Sequence, residues 1–248
     1  MDNPYESDEL IRSYLLFHYG LEADVWSHVS GPSGAVGFAQ RIVTDLLDQS
    51  SIDSGSATAL DVGCAVGGTC FALAPYCSSV HGIDFSQGFI SAARELAAQG
   101  RVETVKRVEG DLFDPFVAEL PASTPKERVT FAVGDAMNLD QDLSNFDVVV
   151  AANLICRLTK PRQFLDRVPS LVKVGGQLLL TTPFTWLEDY TPKESWLSSP
   201  DGSFGALEEI LKPYFALEQK VDIPFVLREH ARKFQYTVAL GSRWRRVA

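Results

Sequence analysis

The segment that most restricts what this chain can fold into is Leu60-Asp61-Val62-Gly63-Cys64-Ala65-Val66-Gly67. A short apolar run over residues 59–62 stops at a glycine turn, 63–68, and the pattern turns helical over 69–74. A buried strand fed straight into a helix needs a crossover before the next strand, which favours parallel pairing. The chain then repeats the unit. Residues 80–83 form a second apolar run ending at Asp84, and Ser86 can cap a helix reaching Ala98. Residues 129–133, 146–152 and 177–182 read as three more strands, with a helix over 162–172 between the last two. Strands apolar at every position are buried on both faces, so the expected class is α/β, a mostly parallel sheet with helices on both sides.

Two stretches depart from this rhythm. Residues 101–127 are too long for a simple connection and contain a strand-like run at 102–108, so they are read as an insertion. Residues 215–226 and 234–240 read as a closing pair of strands joined by a turn so short that they must run antiparallel, giving seven strands in all. Ahead of the first strand, an aromatic-rich helix from Glu9 to Gly20 and a second over 38–47 make residues 1–48 a helical cap. The whole of 1–248 is expected to be one domain.

Composition narrows the setting. A net charge of −10 at pH 7 opposes binding to nucleic acid, which needs phosphate neutralisation. The Arg243–Arg246 cluster is read as a solvated tail. No apolar run reaches the ~20 residues of a membrane helix, and the polar, acidic start at residues 1–6 is unlike a secretory leader. Cys64, Cys70, Cys77 and Cys156 lack zinc-ligand spacing and suit reduced thiols, so a cytoplasmic protein without a metal is expected.

Glycines at a strand-to-helix turn let backbone approach a ligand closely, at the sheet edge where α/β proteins bind cofactors. Two ligands compete for such a turn. A dinucleotide site wants G-x-G-x-x-G facing a pyrophosphate, whereas here Ala65 replaces the second glycine and Asp61 stands just before the first. A carboxylate there suits a ligand with a cationic amino-acid portion. The segment resembles motif I, D-x-G-x-G-x-G, of the Rossmann-like S-adenosylmethionine (SAM) methyltransferases, with Ala65 in place of the middle glycine. Asp84 follows at the end of the second strand, placed for ribose hydroxyls. Gly134-Asp135-Ala136 follows the third, where that family reads adenine, and Ala152-Asn153-Leu154 ends the fourth. The resemblance implies a cofactor site of Asp61, Gly63, Cys64, Ala65, Gly67, Asp84, Phe85, Asp135, Ala136, Asn153 and Leu154, with S-adenosylhomocysteine (SAH) as product.

For the methyl acceptor, the fourth strand lacks the N-P-P-Y of many amino-methyltransferases acting on nucleic acids and proteins, and the acidic chain favours a small molecule. Candidate substrate contacts come from three segments at the cofactor edge: Tyr14, His18 and Tyr19 of the first helix; Phe184, Trp186 and Tyr190 after the fifth strand; and Arg228, Arg232 and Lys233 at the final turn. An arginine at that turn could clamp a carboxylate with two bonds. Ordinary alternatives stand beside these: a solvated turn for the charges, edge packing for Trp186 and Trp196, and incidental placement for His18 and His230.

Several blocks are more specific. Phe17-His18-Tyr19-Gly20, Ala151-Ala152-Asn153-Leu154-Ile155-Cys156-Arg157-Leu158, Thr182-Pro183-Phe184-Thr185-Trp186-Leu187-Glu188, Thr191-Pro192-Lys193-Glu194-Ser195-Trp196-Leu197 and Arg232-Lys233-Phe234-Gln235-Tyr236-Thr237-Val238 resemble the 5-thiohistidine N-methyltransferases of ovothiol biosynthesis. Cys156 stands where an acidic residue is expected in that family. The resemblance implies methyl transfer from SAM to an imidazole ring nitrogen of 5-thiohistidine. It also implies Asn153, Tyr19 and Tyr190 at the reacting centre and a sulfoxide synthase as functional partner. Methylation of another small metabolite, a non-catalytic SAM-binding subunit and, more distantly, a nicotinamide-dependent dehydrogenase are the competing readings.

Overall fold

In the computed structural model, which describes residues 6–248, the alternation becomes a three-layer α/β fold; the polar start read at 1–5 lies outside the described residues. The main sheet has the order β5-β2-β1-β6-β7-β9-β8. Its members are β1 (Thr58–Val62), β2 (Ser79–Asp84), β5 (Val129–Val133), β6 (Phe146–Ala152), β7 (Val172–Thr182), β8 (Phe215–His230) and β9 (Lys233–Arg246). All neighbours pair parallel except the two partners of β9. The helices in chain order are α1 (Asp8–Tyr19), α2 (Glu22–Val25), α3 (Phe38–Leu46), α4 (Gly68–Leu73), α5 (Gln87–Gln99), α6 (Pro161–Leu171) and α7 (Gly202–Leu211).

Period-two side-chain alternation divides the core into two layers. Val148 and Val150 of β6 join α1, α3, α4 and α5 on one face, while Val149 and Ala151 join α6 and α7 on the other. The chain moves outward from β1 through β2 to β5, then returns to β6 on the far side of β1. That reversal leaves a crevice at the carboxyl ends of β1 and β6, the place where open α/β sheets bind ligands.

The insertion is a second, two-stranded antiparallel sheet of β3 (Arg101–Glu109) and β4 (Leu112–Glu119), so it holds one strand more than its hydrophobic pattern suggests. Pro115 within β4 and mostly exposed side chains along it masked that strand. Helix α7 carries little helical signal in the sequence, because Gly202 and Gly205 open it and dilute its pattern.

The reading of Arg243–Arg246 as a solvated tail is corrected. These residues continue β9, with Trp244 almost wholly buried beneath Phe204. On the opposite face Arg243 donates to the Leu46 carbonyl, and Arg245 pairs with Asp48 at 2.8 Å and Glu218 at 2.9 Å. Basic residues alternating with one core tryptophan are the period-two pattern of a strand with one buried face, which charge count alone hides.

Candidate active site

The glycine loop between β1 and α4 is held by its own backbone. The N–H groups of Gly63 and Cys64 both donate to the Ile83 carbonyl, stitching the loop to the end of β2. Gly67 adopts φ +84°, and a Cβ there would lie 2.6 Å from the Phe131 ring, so the turn closes only around hydrogen. Ala65, the departure from the glycine pattern, takes φ +47°. That left-handed strain in a non-glycine residue is typical of functional turns.

Two carboxylates flank this loop. Asp84 accepts from Ala65 N–H at 2.8 Å and from Ser86 N–H at 2.9 Å. Its carboxyl nevertheless sits above the usual range because burial outweighs those bonds. Asp61 is fully buried and pushed up to about 7 by desolvation. One oxygen accepts from the Cys70 thiol at 3.4 Å, and the other, Oδ1, has no partner among the described residues. A buried orphan oxygen costs free energy unless something fills it. The amino-acid ammonium of SAM is a group of the right charge, and the residues present therefore fit the cofactor. Phe85 projects into solvent beside Asp84, while Asp135 caps the short turn at Ala136–Asn138 by accepting from Met137 N–H.

Asn153 begins the loop after β6 with φ +51°. Its N–H and its Oδ1 are both tied to Thr181 of β7, which leaves its side-chain NH2 with no partner among the described residues. Leu154 presses on the glycine loop, since a Cβ at Gly63 would come within 2.9 Å of it. Thus the fourth-strand loop and the glycine loop form one wall.

Helix α1 roofs the crevice. The Tyr19 hydroxyl donates to the Val66 carbonyl at 2.7 Å, and burial holds its pKa well above that of a free phenol. His18 Nδ1 accepts from Gly68 N–H at 3.0 Å, and burial lowers its pKa to about 4. His18 is therefore a neutral clasp on the first turn of α4, with its accepting nitrogen committed to backbone. Tyr14 packs against Phe89 and is raised to about 12 by burial, and its hydroxyl feels Arg157, Asp84, Tyr190 and Cys156. Asp84 and Tyr190, expected from two other distant segments, thus lie within electrostatic reach of Tyr14.

The remaining candidates make contacts of other kinds. Trp186 donates its indole N–H to Ser203 and stacks on Trp196, anchoring the loop to α7. Phe184 takes φ +51° and packs in the same core. Arg228 lies within β8 rather than at its turn and is buried; its guanidinium donates to the Asp24 and Arg107 carbonyls, bracing α2 and β3. Lys233 pairs with Glu229 at 2.6 Å, while Arg232 is exposed at the turn itself.

Sequence reasoning assigned no role to Arg157 or Glu6. Arg157 stacks over the Tyr190 ring at 4.8 Å. Glu6 caps α5 through Gln87 N–H at 2.8 Å and Gly88 N–H at 3.0 Å. Neither pairing has a spacing signal, because the partners are 33 and 81 residues apart.

Residues 60–178 match a family model described as a methyltransferase domain. That match covers a little under half of the chain, and it falls on the strands, glycine loop and crevice of the α/β sheet described above. Among curated proteins, the chain is 24% identical over 123 residues to the ubiquinone biosynthesis O-methyltransferase of Coxiella burnetii, covering 50% of this chain and 42% of that protein. It is 23% identical over 199 residues to ajmaline N-methyltransferase of Rauvolfia serpentina, covering 77% and 57%. The match thus spans about two fifths to three fifths of these relatives' lengths. Among solved structures, the N-methyltransferase NodS of Bradyrhizobium japonicum, in complex with SAH, aligns at TM-score 0.52 and 18% identity over 95% of this chain and 98% of that one. The [4+2]-cyclase SpnF aligns at TM-score 0.59 and 15% identity over 98% and 94%. These likenesses show the fold, and the pairing of a methyltransferase with a cyclase shows why chemistry must be argued from the site.

Among the described residues no helix is long and apolar enough to cross a membrane, and no group of three or more His, Cys, Asp or Glu is arranged to hold a metal.

Proposed function

We propose that this protein transfers a methyl group from SAM to an imidazole ring nitrogen of 5-thiohistidine, forming ovothiol. The observation that carries the small-molecule part is the roofed crevice. Tyr19 is bonded to the glycine loop and Tyr14 lies within electrostatic reach of Asp84 and Tyr190, so helix α1 covers the ligand edge, which favours a small acceptor over a polymer. The thiohistidine part rests on the sequence blocks at 17–20, 151–158, 182–188, 191–197 and 232–238.

When bound, SAM supplies a methyl carbon made electrophilic by its sulfonium. Asp61 would hold its ammonium, Asp84 its ribose hydroxyls, and Phe85, Asp135 and Ala136 its adenine. Asn153 and Leu154 line the wall next to the glycine loop. The neutral imidazole nitrogen forms its bond to carbon as the sulfur–carbon bond breaks. The imidazole then loses the proton on its other nitrogen to solvent. With a reference pKa near ~6.5, imidazole is mostly neutral at pH 7, so orientation matters more than a strong base. Holding the nucleophile close and collinear supplies ~7–11 kcal/mol. The roof residues serve that end by excluding water and directing the more nucleophilic thiolate away from the methyl. In this reading the reaction belongs to the cytoplasm, with a sulfoxide synthase making the substrate.

The test is mass spectrometry of the protein incubated with SAM and 5-thiohistidine, with histidine as control. A product one methylene heavier whose thiol still reacts with an alkylating agent supports the assignment. Methylation of histidine alone, or a blocked thiol, overturns it.

A further inference from the structure

The carboxylate of an amino-acid substrate needs a cation at the crevice, and the arginine expected to supply it is engaged elsewhere. Arg228 spends its guanidinium on two backbone carbonyls, while Lys233 is neutralised by Glu229. Arg157 stands in a different position. It ends the turn Ile155–Arg157, directly after the loop that begins at Asn153 and presses on the glycine loop through Leu154. Its Nη1 donates to the Cys156 and Thr185 carbonyls, both at 3.0 Å, tying the loop after β6 to the loop after β7. One face of the guanidinium is covered by the Tyr190 ring at 4.8 Å.

No described carboxylate forms an ion pair with it. With Nη1 fixed and one face stacked, the free edge formed by Nε and Nη2 is a rigid fork. That fork matches a carboxylate in its own plane.

We propose that Arg157 binds the α-carboxylate of the amino-acid substrate, with Tyr190 and the Thr185 carbonyl holding its guanidinium in place. The proposal rests on the reading above that the acceptor is an amino acid. It makes Arg157 a specificity residue: it favours the free amino acid over the corresponding amine. SAM also carries a carboxylate, so the source of the bound group must be separated experimentally.

The experiment compares Arg157→Gln and Arg157→Lys with the unaltered protein on 5-thiohistidine and on its decarboxylated analogue, which keeps the thioimidazole and the amine. SAH affinity is measured by calorimetry in parallel. The expected result is a fall of about 10- to 100-fold in the ratio of kcat/KM for acid over amine in the Gln variant. The Lys variant should fall between the two, because it keeps the charge and loses the fork. SAH affinity should stay within about threefold. An unchanged ratio overturns the proposal, and so does a parallel loss of SAH binding in a folded variant, which would place the cofactor's own carboxylate on Arg157. If Arg157→Gln fails to fold, Arg157→Lys alone decides by the same ratio. Absence of turnover by the unaltered protein on 5-thiohistidine overturns the functional reading itself, before any substitution is compared.

Discussion

Asp61 and His18 are both buried and both shifted, with opposite consequences for pH. Asp61 rises to about 7 from 3.8, so the folded, ligand-free protein binds an extra proton between those values and loses stability as pH climbs through that window. Asp61→Asn removes this penalty. Its melting temperature should exceed that of the unaltered protein at pH 8 and converge with it at pH 4, while its SAH affinity falls at least about tenfold through loss of the carboxylate–ammonium contact. A calorimetric series over pH checks both. His18 falls to about 4 from 6.5, so the folded state binds fewer protons across that window. The resulting stability is full above 6.5 and is lost as pH drops toward 4, on the order of 3 kcal/mol for the fully buried ring. His18→Leu leaves Gly68 N–H unpaired and should be less stable at pH 7 by about 1–3 kcal/mol. That deficit should shrink as pH falls to 4, which denaturant titrations at several pH values would show.

At the scale of elements, the site depends on parts that touch no ligand. The β3–β4 hairpin, α2 and the end of β8 meet at Arg228, with Lys106–Asp24 at 2.7 Å beside it and Ala231 N–H donating to the Val108 carbonyl. Helix α1 lies across this joint, and its aromatic face roofs the crevice. Arg228→Ala should lower stability by about 1–3 kcal/mol, since two carbonyls and the packed stem lose their partner. For a domain of this size that is a drop of roughly 2–12 °C in melting temperature. If the melting temperature does not move, the bracing role is wrong.

Across the whole molecule, the crevice draws on segments from α1 to the loop after β7, so a ligand there is expected to stabilise the entire domain. SAH at one hundred times its Kd should add about 2.7 kcal/mol, or roughly 5–11 °C in melting temperature. The gain should be much smaller in Asp61→Asn at the same SAH concentration. A thermal shift confined to one of two transitions would contradict a single cooperative unit.

Much of this architecture was legible in the chain because it is local. Apolar runs at 59–62, 80–83, 129–133, 146–152 and 177–182 mark the parallel strands, and Gly63, Gly67, Asp61 and Asp84 mark the ligand edge. Each follows from period, turn chemistry or the cost of burying charge, which neighbouring residues express by themselves. What only the tertiary structure decided are the partners of long side chains. Arg228 and Arg157 are both arginines near turns, yet one is sealed against carbonyls and the other keeps an open fork beneath Tyr190. His18 became a clasp, and Arg243 and Arg245 of β9 became contacts to residues 46–48, for the same reason. A flexible charged side chain reaches several ångströms in any direction, and which acceptor it meets depends on strands and loops far away in sequence.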